Sequence, residues 1–273
     1  MNNIVLLRTP TLTPMGGLNF SSVFPPISLG YLAAVLKEVN FNVNCIDAIG
    51  EDINRITPCE DVPGMQYRGI STDEIIAKIP NNTDILGVSI MFSAEWPFCR
   101  GIISSIKKVM PHLTIIAGGE HISALPEYTL NNCKDIDYCV IGEGEETIVD
   151  LCQTLKLGGN LENVDGITYL ENGQLKRNNG RKRIRDIDEI PWPSWDLLPI
   201  ESYVNSKLSH GPYRGKSITI LATRGCPYIC KFCSNESMYG RSYFPRNPID
   251  VVDEIEYYVE KYDVKCIEFA DLT

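Results

Sequence analysis

Three cysteines, Cys226, Cys230 and Cys233, stand in one short run, T-R-G-C-P-Y-I-C-K-F-C-S, at the spacing C-x3-C-x2-C. The chain holds ten cysteines and only these cluster. Others, such as Cys45 in NVNCIDA and Cys139 in DYCVIG, sit in apolar segments and read as small core residues. Thiolates are the ligands of iron–sulfur clusters. Three of them on one loop can surround one face of a four-iron cube and leave the fourth iron open for substrate chemistry. The structural rival is zinc, whose closed sites take four ligands. Cys266 and His210 are the nearest candidates for a fourth. Cys266 opens the strand after the loop, whereas the triad follows the end of the strand before it, so parallel pairing puts them at opposite edges, about 16 Å apart. His210 precedes the first of those strands, again at the wrong edge. An open iron is the better reading.

A second set of residues could line a ligand site. Gly118-Gly119 and Gly142/Gly144 follow two apolar runs, and glycines there let backbone approach a ligand closely. Ser89 and Phe92 end another run and can line the same crevice, with Glu143 and His121 beside the glycines. The loop Gly142-Glu143-Gly144-Glu145-Glu146 is no phosphate cradle, because it lacks lysine and carries three carboxylates. Glu145 and Glu146 equally suit a helix N-terminus. A dinucleotide site needs G-x-G-x-x-G after the first strand. Only Met15-Gly16-Gly17 stands there, at the wrong spacing.

The elements that must position these residues alternate. Ile4–Leu7, Asn42–Asp47, Ile85–Ile90, Leu113–Ala117 and Tyr138–Ile141 read as strands. Leu29, Leu32, Ala33 and Leu36 form the apolar face of a helix. Ser71 and Glu74 are spaced as a capping box, Ile102, Ile103, Ile106 and Met110 mark a helix stopped by Pro111, and Ile148, Leu151, Cys152 and Leu155 mark another ended by Gly158-Gly159. Five β–α units in series predict a doubly wound parallel sheet over residues 1–160, with ligands beyond the carboxyl ends of its strands. A hairpin with an Asn172-Gly173 turn and a Pro/Trp-rich connector, IDEIPWPSWDLLPIESY, fill 161–215, and the connector's aromatics are expected to pack between domains. From 216 to 273 the pattern restarts: a strand at Ile218–Ala222, the cysteine loop, a helix capped by Asn247-Pro248 with Val252, Ile255, Val259 and Tyr262 facing inward, and a strand at Lys265–Phe269.

The cysteine loop, with Phe232 before the third cysteine and a β/α unit around it, resembles the signature of the radical S-adenosylmethionine (SAM) superfamily. The segments PPISLGYLAAVLKE, AGGEHISALPE and DYCVIGEGEETIVDL, in that order ahead of IPWPSWDLLP, resemble the cobalamin-binding domain of the B12-dependent radical SAM class. The resemblance spans essentially the whole chain. It implies a Rossmann-like, cobalamin-binding α/β domain followed by the start of a radical SAM partial (β/α) barrel. It implies Cys226, Cys230 and Cys233 as [4Fe-4S] ligands and Phe232 beside the cluster or SAM. Cobalamin would meet Ser89, Phe92, Gly118, Gly119, His121, Gly142, Glu143 and Gly144. The implied activity is reductive cleavage of SAM to a 5′-deoxyadenosyl radical, for methyl transfer or for rearrangement or cyclisation of an organic substrate. A small-molecule or peptide substrate and a reductant such as flavodoxin or ferredoxin are the implied partners. The alternatives are a radical SAM enzyme without bound cobalamin and a non-catalytic corrinoid- or metal-binding fragment.

Two departures matter. The loop after the first strand, R-T-P-T-L-T-P-M-G-G, carries no histidine for the lower face of cobalt. Gly118-Gly119-Glu120 spells the superfamily's GGE tripeptide but stands upstream of the cysteines, so it is not assigned to SAM. A net charge of −10 disfavours a nucleic-acid partner. The N-terminus lacks a signal sequence's h-region and no stretch reaches membrane-spanning length, which predicts a cytoplasmic protein without membrane insertion. A partial barrel needs more β/α units than follow the cysteines, so a fragment of a longer protein is expected.

Overall fold

A computed structural model describes residues 1–16, 23–208 and 213–272. The chain opens with β1 (Asn3–Arg8) and β2 (Thr11–Pro14), and α1 (Ile27–Glu38) leads to β3 (Asn42–Asp47). Two short strands, β4 (Ile56–Pro58) and β5 (Met65–Arg68), precede α2 (Thr72–Lys78), β6 (Ile85–Ser89), α3 (Trp96–Val109) and β7 (Thr114–Gly118). Then come α4 (Glu120–Ala124), α5 (Pro126–Asn132), β8 (Tyr138–Val140), α6 (Glu145–Leu157), β9 (Ile167–Glu171) and β10 (Gln174–Arg177). The remainder holds α7 (Ile200–Val204), β11 (Ser217–Ile220), β12 (Thr223–Arg224), α8 (Asn235–Tyr239), β13 (Phe244–Pro245), α9 (Pro248–Tyr262) and β14 (Cys266–Phe269). Among the described residues no helix is long and apolar enough to cross a membrane.

The main sheet has the order β10-β9-β8-β7-β6-β1-β3. Its five strands β3, β1, β6, β7 and β8 are parallel, as the alternating pattern predicts. The chain winds outward in both directions from β1 and β6, so a crevice opens beyond their carboxyl ends. Alternate residues of β1 serve opposite faces. Ile4 and Leu6 join a core beneath α1 and α6, and Val5 and Leu7 join one with residues of α2, α3 and α5. Local signals hold: Ser71 and Glu74 form the capping box, the Gly158 backbone is left-handed at the end of α6, and Asn247 caps α9.

Three features differ from the sequence reading. The hairpin expected in the 161–215 connector forms, with Asn172 and Gly173 both at positive φ, but β9 pairs antiparallel with β8 and extends the first sheet. The stretch after β1, read as loop, contributes β2 to a small sheet of order β2-β5-β4. It is tied down by Glu95, which accepts from the Thr11 hydroxyl and the Leu12 amide.

The third difference is the register of α9. Its buried residues are Val251, Glu254, Tyr258 and Tyr262, while Val252 and Val259 are exposed. The inward acid is compensated: Arg246 donates to Glu254 at 2.5 Å and Tyr258 donates to it at 2.8 Å. A polar network thus replaces the aliphatic stripe that periodicity alone selects.

The connector does pack between elements. Trp195 is buried, and the Ser194 amide donates to Gly30 of α1. A Cβ on Gly30 would lie 2.7 Å from the Cβ of Pro193, so the glycine permits that approach. One apolar core runs from α1 and β3 through Trp195 to Ile218, Ile220, Val251 and Tyr258, so the segment carrying the cysteines is seated on the first sheet's layer.

Candidate functional site

A cavity opens at the carboxyl edge of β6, β7 and β8. Leu6, Leu29, Leu32, Ile116, Val140 and Ile148 give it an apolar interior, and Ser89, Gly118, Gly119, Gly142, Glu143, Gly144 and Glu145 rim it. Part of its wall comes from far along the chain: Arg224 of β12 and Met238 and Tyr239 of α8. The rim is built by backbone that needs glycine. Gly119 has φ +107°, and a Cβ there would lie 2.5 Å from the Ile90 carbonyl oxygen. Gly142 has φ +75°, faces the Met238 carbonyl, and donates its amide to the Ser123 hydroxyl at 2.9 Å.

Two buried acids at this rim bind arginines rather than face the cavity alone. Arg183 donates to Glu143 at 2.6 Å, and the Ile184 amide donates to the same carboxylate at 3.1 Å. Arg224 pairs with Glu145 at 2.6 Å and reaches Glu143 at 3.5 Å. Burial opposes the Arg224 charge, but Glu145 and its hydrogen bond outweigh that and hold the guanidinium's pKa above its ordinary value. The Tyr31 ring lies 4.9 Å beneath Arg224. Arg183 packs over Tyr239 and Phe244 and donates to the Tyr239 carbonyl. The two arginines therefore fasten the Gly142–Glu145 loop to both ends of the cysteine segment. Sequence reasoning missed them because their partners are 40 and 81 positions away, with no local pattern to announce the pairing.

Of the residues singled out for the ligand site, Ser89, Gly118, Gly119, Gly142, Glu143 and Gly144 meet at this cavity. Phe92 and His121 are not among its lining residues. Phe92 is exposed. His121 is buried, stacked on Trp96 with ring centroids 5.0 Å apart, and both ring nitrogens are engaged, by Ser93 at 2.9 Å and Thr129 at 3.3 Å. Desolvation lowers its pKa, favouring the neutral ring. His121 is a satisfied packing histidine. Cys139 is fully buried and its thiol is pushed up to about 12 by desolvation, in keeping with a core role.

The cysteine loop begins where Gly225, at φ +86°, turns the chain out of β12. A Cβ there would lie 2.0 Å from the Ser242 carbonyl oxygen, so only glycine fits before Cys226. Asn235 donates to the carbonyls of Cys226 and Gly240, and the Cys233 amide donates to Cys230. The Ser234 hydroxyl donates to Glu120 at 2.8 Å, so the acid of the misplaced GGE tripeptide braces the loop's far side. Cys226 is half-buried, Cys230 and Cys233 are exposed, and Phe232 is 93% exposed. Among the described residues no three His, Cys, Asp or Glu side chains converge on one metal position. The three cysteines thus share one solvent-facing loop without being gathered. Cys266 pairs with Ser217 at the opposite edge of the β11–β14 pair, as expected, and His210 lies outside the described residues. The donor set of three accessible sulfurs suits a thiolate-held cluster, and the glycine-rimmed apolar cavity suits part of a large flat ligand.

A doubly wound sheet whose switch-point edge carries such a cavity defines a ligand-binding α/β domain. Residues 15–152, just over half of the chain, match the B12 binding domain, and the chain belongs to that family. An uncharacterized methyltransferase of Pyrococcus horikoshii is 32% identical over 249 residues, covering 91% of this chain and 49% of that protein. The anaerobic magnesium-protoporphyrin IX monomethyl ester cyclase of Cereibacter sphaeroides is 27% identical over 261 residues, covering 94% of this chain and 39% of that protein. The fold matches that of the cobalamin-dependent S-adenosylmethionine radical enzyme OxsB, solved with aqua-cobalamin and S-adenosylmethionine bound, with a TM-score of 0.75 at 24% identity. That match covers 100% of this chain and 34% of the other. The chain spans about half or less of the length of the curated relatives it matches.

Proposed function

We propose that this chain forms the corrinoid-binding and cluster-binding part of a cobalamin-dependent radical SAM enzyme. The observation that carries the reading is the shared wall: Arg224, Met238 and Tyr239, which flank the cysteines, close the cavity of the B12-binding domain. Cys226, Cys230 and Cys233 would hold a [4Fe-4S] cluster and leave its fourth iron to SAM, with Phe232 shielding it. Ser89, Gly118, Gly119, Gly142 and Gly144 would line the corrinoid, with Phe92 at the outer edge of the crevice. Glu143 and Glu145 hold the walls together through Arg183 and Arg224. The apolar interior and glycine rim of the cavity would take part of the corrinoid, the glycines letting backbone approach it closely. When bound, the cluster supplies the electron that cleaves SAM to a 5′-deoxyadenosyl radical, and the corrinoid supplies a methyl carrier. Methyl transfer or cyclisation of a small organic molecule is the reaction class, since the relatives carry both names. A reduced flavodoxin or ferredoxin would feed the cluster. The chain divides at the start of β11, with the sheet, hairpin and connector before it and the cysteine unit after it.

Anaerobic reconstitution with iron and sulfide, followed by optical and EPR spectra with added hydroxocobalamin, tests this reading. A [4Fe-4S] signal and a retained corrinoid are expected. Changing Cys226, Cys230 and Cys233 together to Ala should abolish the first and leave the second. A zinc-filled or cluster-free protein refutes the radical SAM half, and a cluster without retained corrinoid refutes the cobalamin half.

A further inference from the structure

We infer that Arg224 is a positioning residue that couples the two cofactor sites, so that filling the cavity orders the loop carrying Cys226, Cys230 and Cys233. The inference rests on the corrinoid reading of the cavity and goes beyond it by assigning the physical link.

The link starts from an asymmetry. The cavity's apolar interior is preformed by packed helices and strands, whereas the cysteine loop projects Tyr228, Ile229 and Phe232 into solvent at 62–93% exposure and does not gather its thiols. The two meet at the ends of the loop. Arg224 stands one residue before the obligatory Gly225 and contributes to the cavity wall, as do Met238 and Tyr239 beyond the loop. Arg224 already holds the loop's entry through Glu145 and Glu143, and an occupant that touches both Arg224 and Met238 ties the far end to that fixed point. Fixing the ends of a flexible segment removes much of the conformational freedom it must otherwise lose when its side chains converge.

Arg224 suits this task better than an apolar wall residue. Its guanidinium is 6% exposed, paired with Glu145 and Glu143 on the sheet domain and stacked on Tyr31 of α1, so it cannot shift without breaking charged contacts. A planar fork held on two sides transmits position, whereas a lysine would supply charge without a fixed direction. Coupling of this kind is reciprocal: if corrinoid favours the gathered loop, a cluster in the loop favours corrinoid by the same factor. An occupant of the cavity is thereby sensed at the cysteines without touching them.

Amide hydrogen exchange on the whole 273-residue chain, with and without hydroxocobalamin, reads the coupling directly. In the unaltered protein, peptides over residues 226–240 should exchange at least tenfold more slowly once hydroxocobalamin is bound, alongside protection of 114–124 at the cavity. In Arg224→Met the protection of 114–124 should persist at saturating ligand, while that of 226–240 falls to within twofold of the ligand-free rate. Arg224→Lys should be intermediate, and Arg241→Met, which removes an exposed pair with Glu236, should behave as the unaltered protein. Circular dichroism checks folding. Should Arg224→Met not fold, Arg224→Lys and Glu145→Gln give the same comparison with the charge or its neighbour retained. Equal protection of 226–240 in the Arg224 variants and the unaltered protein overturns the coupling, as does corrinoid binding that leaves 226–240 unprotected. An optical titration run in parallel separates the two levels, because absence of any hydroxocobalamin binding overturns the corrinoid reading itself and the coupling with it.

Discussion

Gly118 and Gly119 are neighbours with opposite physical duties, and substituting each by alanine separates ligand space from backbone geometry. Gly119 stands at φ +107° and ψ −177°, a region that only glycine populates readily. Forcing alanine into it costs about 1–3 kcal/mol. The new Cβ would also lie 2.5 Å from the Ile90 carbonyl oxygen, which cannot easily retreat. That carbonyl accepts from the His121 amide, and the Ile90 amide donates to Gly118. Displacing it loses about 1 kcal/mol more for a hydrogen bond. The sum is roughly 3 kcal/mol, or a fall in melting temperature of about 6 °C for a chain of this length. Gly118 has no such restriction: a Cβ there would find its nearest atom, the Cβ of Val140, at 3.9 Å. Gly118→Ala should therefore keep or raise stability by up to about 1 kcal/mol, through the reduced freedom of the unfolded chain. Its methyl group would stand at the cavity rim, so hydroxocobalamin affinity should fall about tenfold, equivalent to about 1.4 kcal/mol. Thermal unfolding and optical titration of the two variants give the comparison. A Gly119→Ala protein as stable as the parent, or a Gly118→Ala protein with undiminished affinity, would refute the reasoning.

Three further expectations follow from the same geometry. Phe232→Ala should change stability by no more than about 0.5 kcal/mol, because the ring is exposed, yet shorten the lifetime of the reconstituted cluster in air, followed at its visible absorbance. The His121 pKa is held below its ordinary 6.5 by burial, so the unfolded chain takes up the proton first as pH falls. His121 therefore contributes stability that is present above pH 6.5 and lost as pH falls toward the folded-state pKa, and His121→Asn should flatten that part of a urea-unfolding pH series. Removing one partner of a buried ion pair costs about 3–5 kcal/mol, whereas apolar replacement of both is near neutral. Arg224→Met should accordingly be strongly destabilised and Glu145→Leu/Arg224→Met largely restored, as read by denaturant midpoints; a double variant no better than the single would contradict the pairing.

Much of the sheet was legible because its signals are local. Strand Ile85–Ser89 lies within the apolar run read at Ile85–Ile90, and the Ser71/Glu74 box and the Asn172-Gly173 turn each declare an element within a few residues. The edge argument that set Cys266 apart from the triad also needed only parallel pairing, which the Ser217–Cys266 register bears out. What stayed hidden is long-range. Strand β2 pairs with β5, some fifty positions on, and is pinned by Glu95, 84 positions from Thr11. The buried face of α9 was misread because Arg246 makes an inward Glu254 tolerable, and hydrophobic periodicity counts an acid as outward. His121 looked available because nothing in AGGEHISALPE shows that Ser93 and Thr129 will occupy its ring nitrogens.

The same distinction bears on the site. Cysteine spacing announces which side chains can bind a cluster, but whether they act on the ligand of another domain depends on how the two layers are joined. Part of the joint is charged: Arg224 of the cysteine segment pairs with Glu145 and reaches Glu143, and Arg183 of the connector bonds both Glu143 and the Tyr239 carbonyl, all largely removed from water. The apolar core through Trp195, Ile218 and Tyr258 already holds the layers together, and a buried ion pair is weak support for stability in itself. Charged forks add direction. Each arginine accepts few orientations of its partner carboxylates, so the Gly142–Glu145 rim and the turn before Cys226 are fixed in register as well as in contact. For the proposed chemistry, in which a carrier and a radical source would face one substrate, register is the property the seam must provide, and packing alone does not specify it.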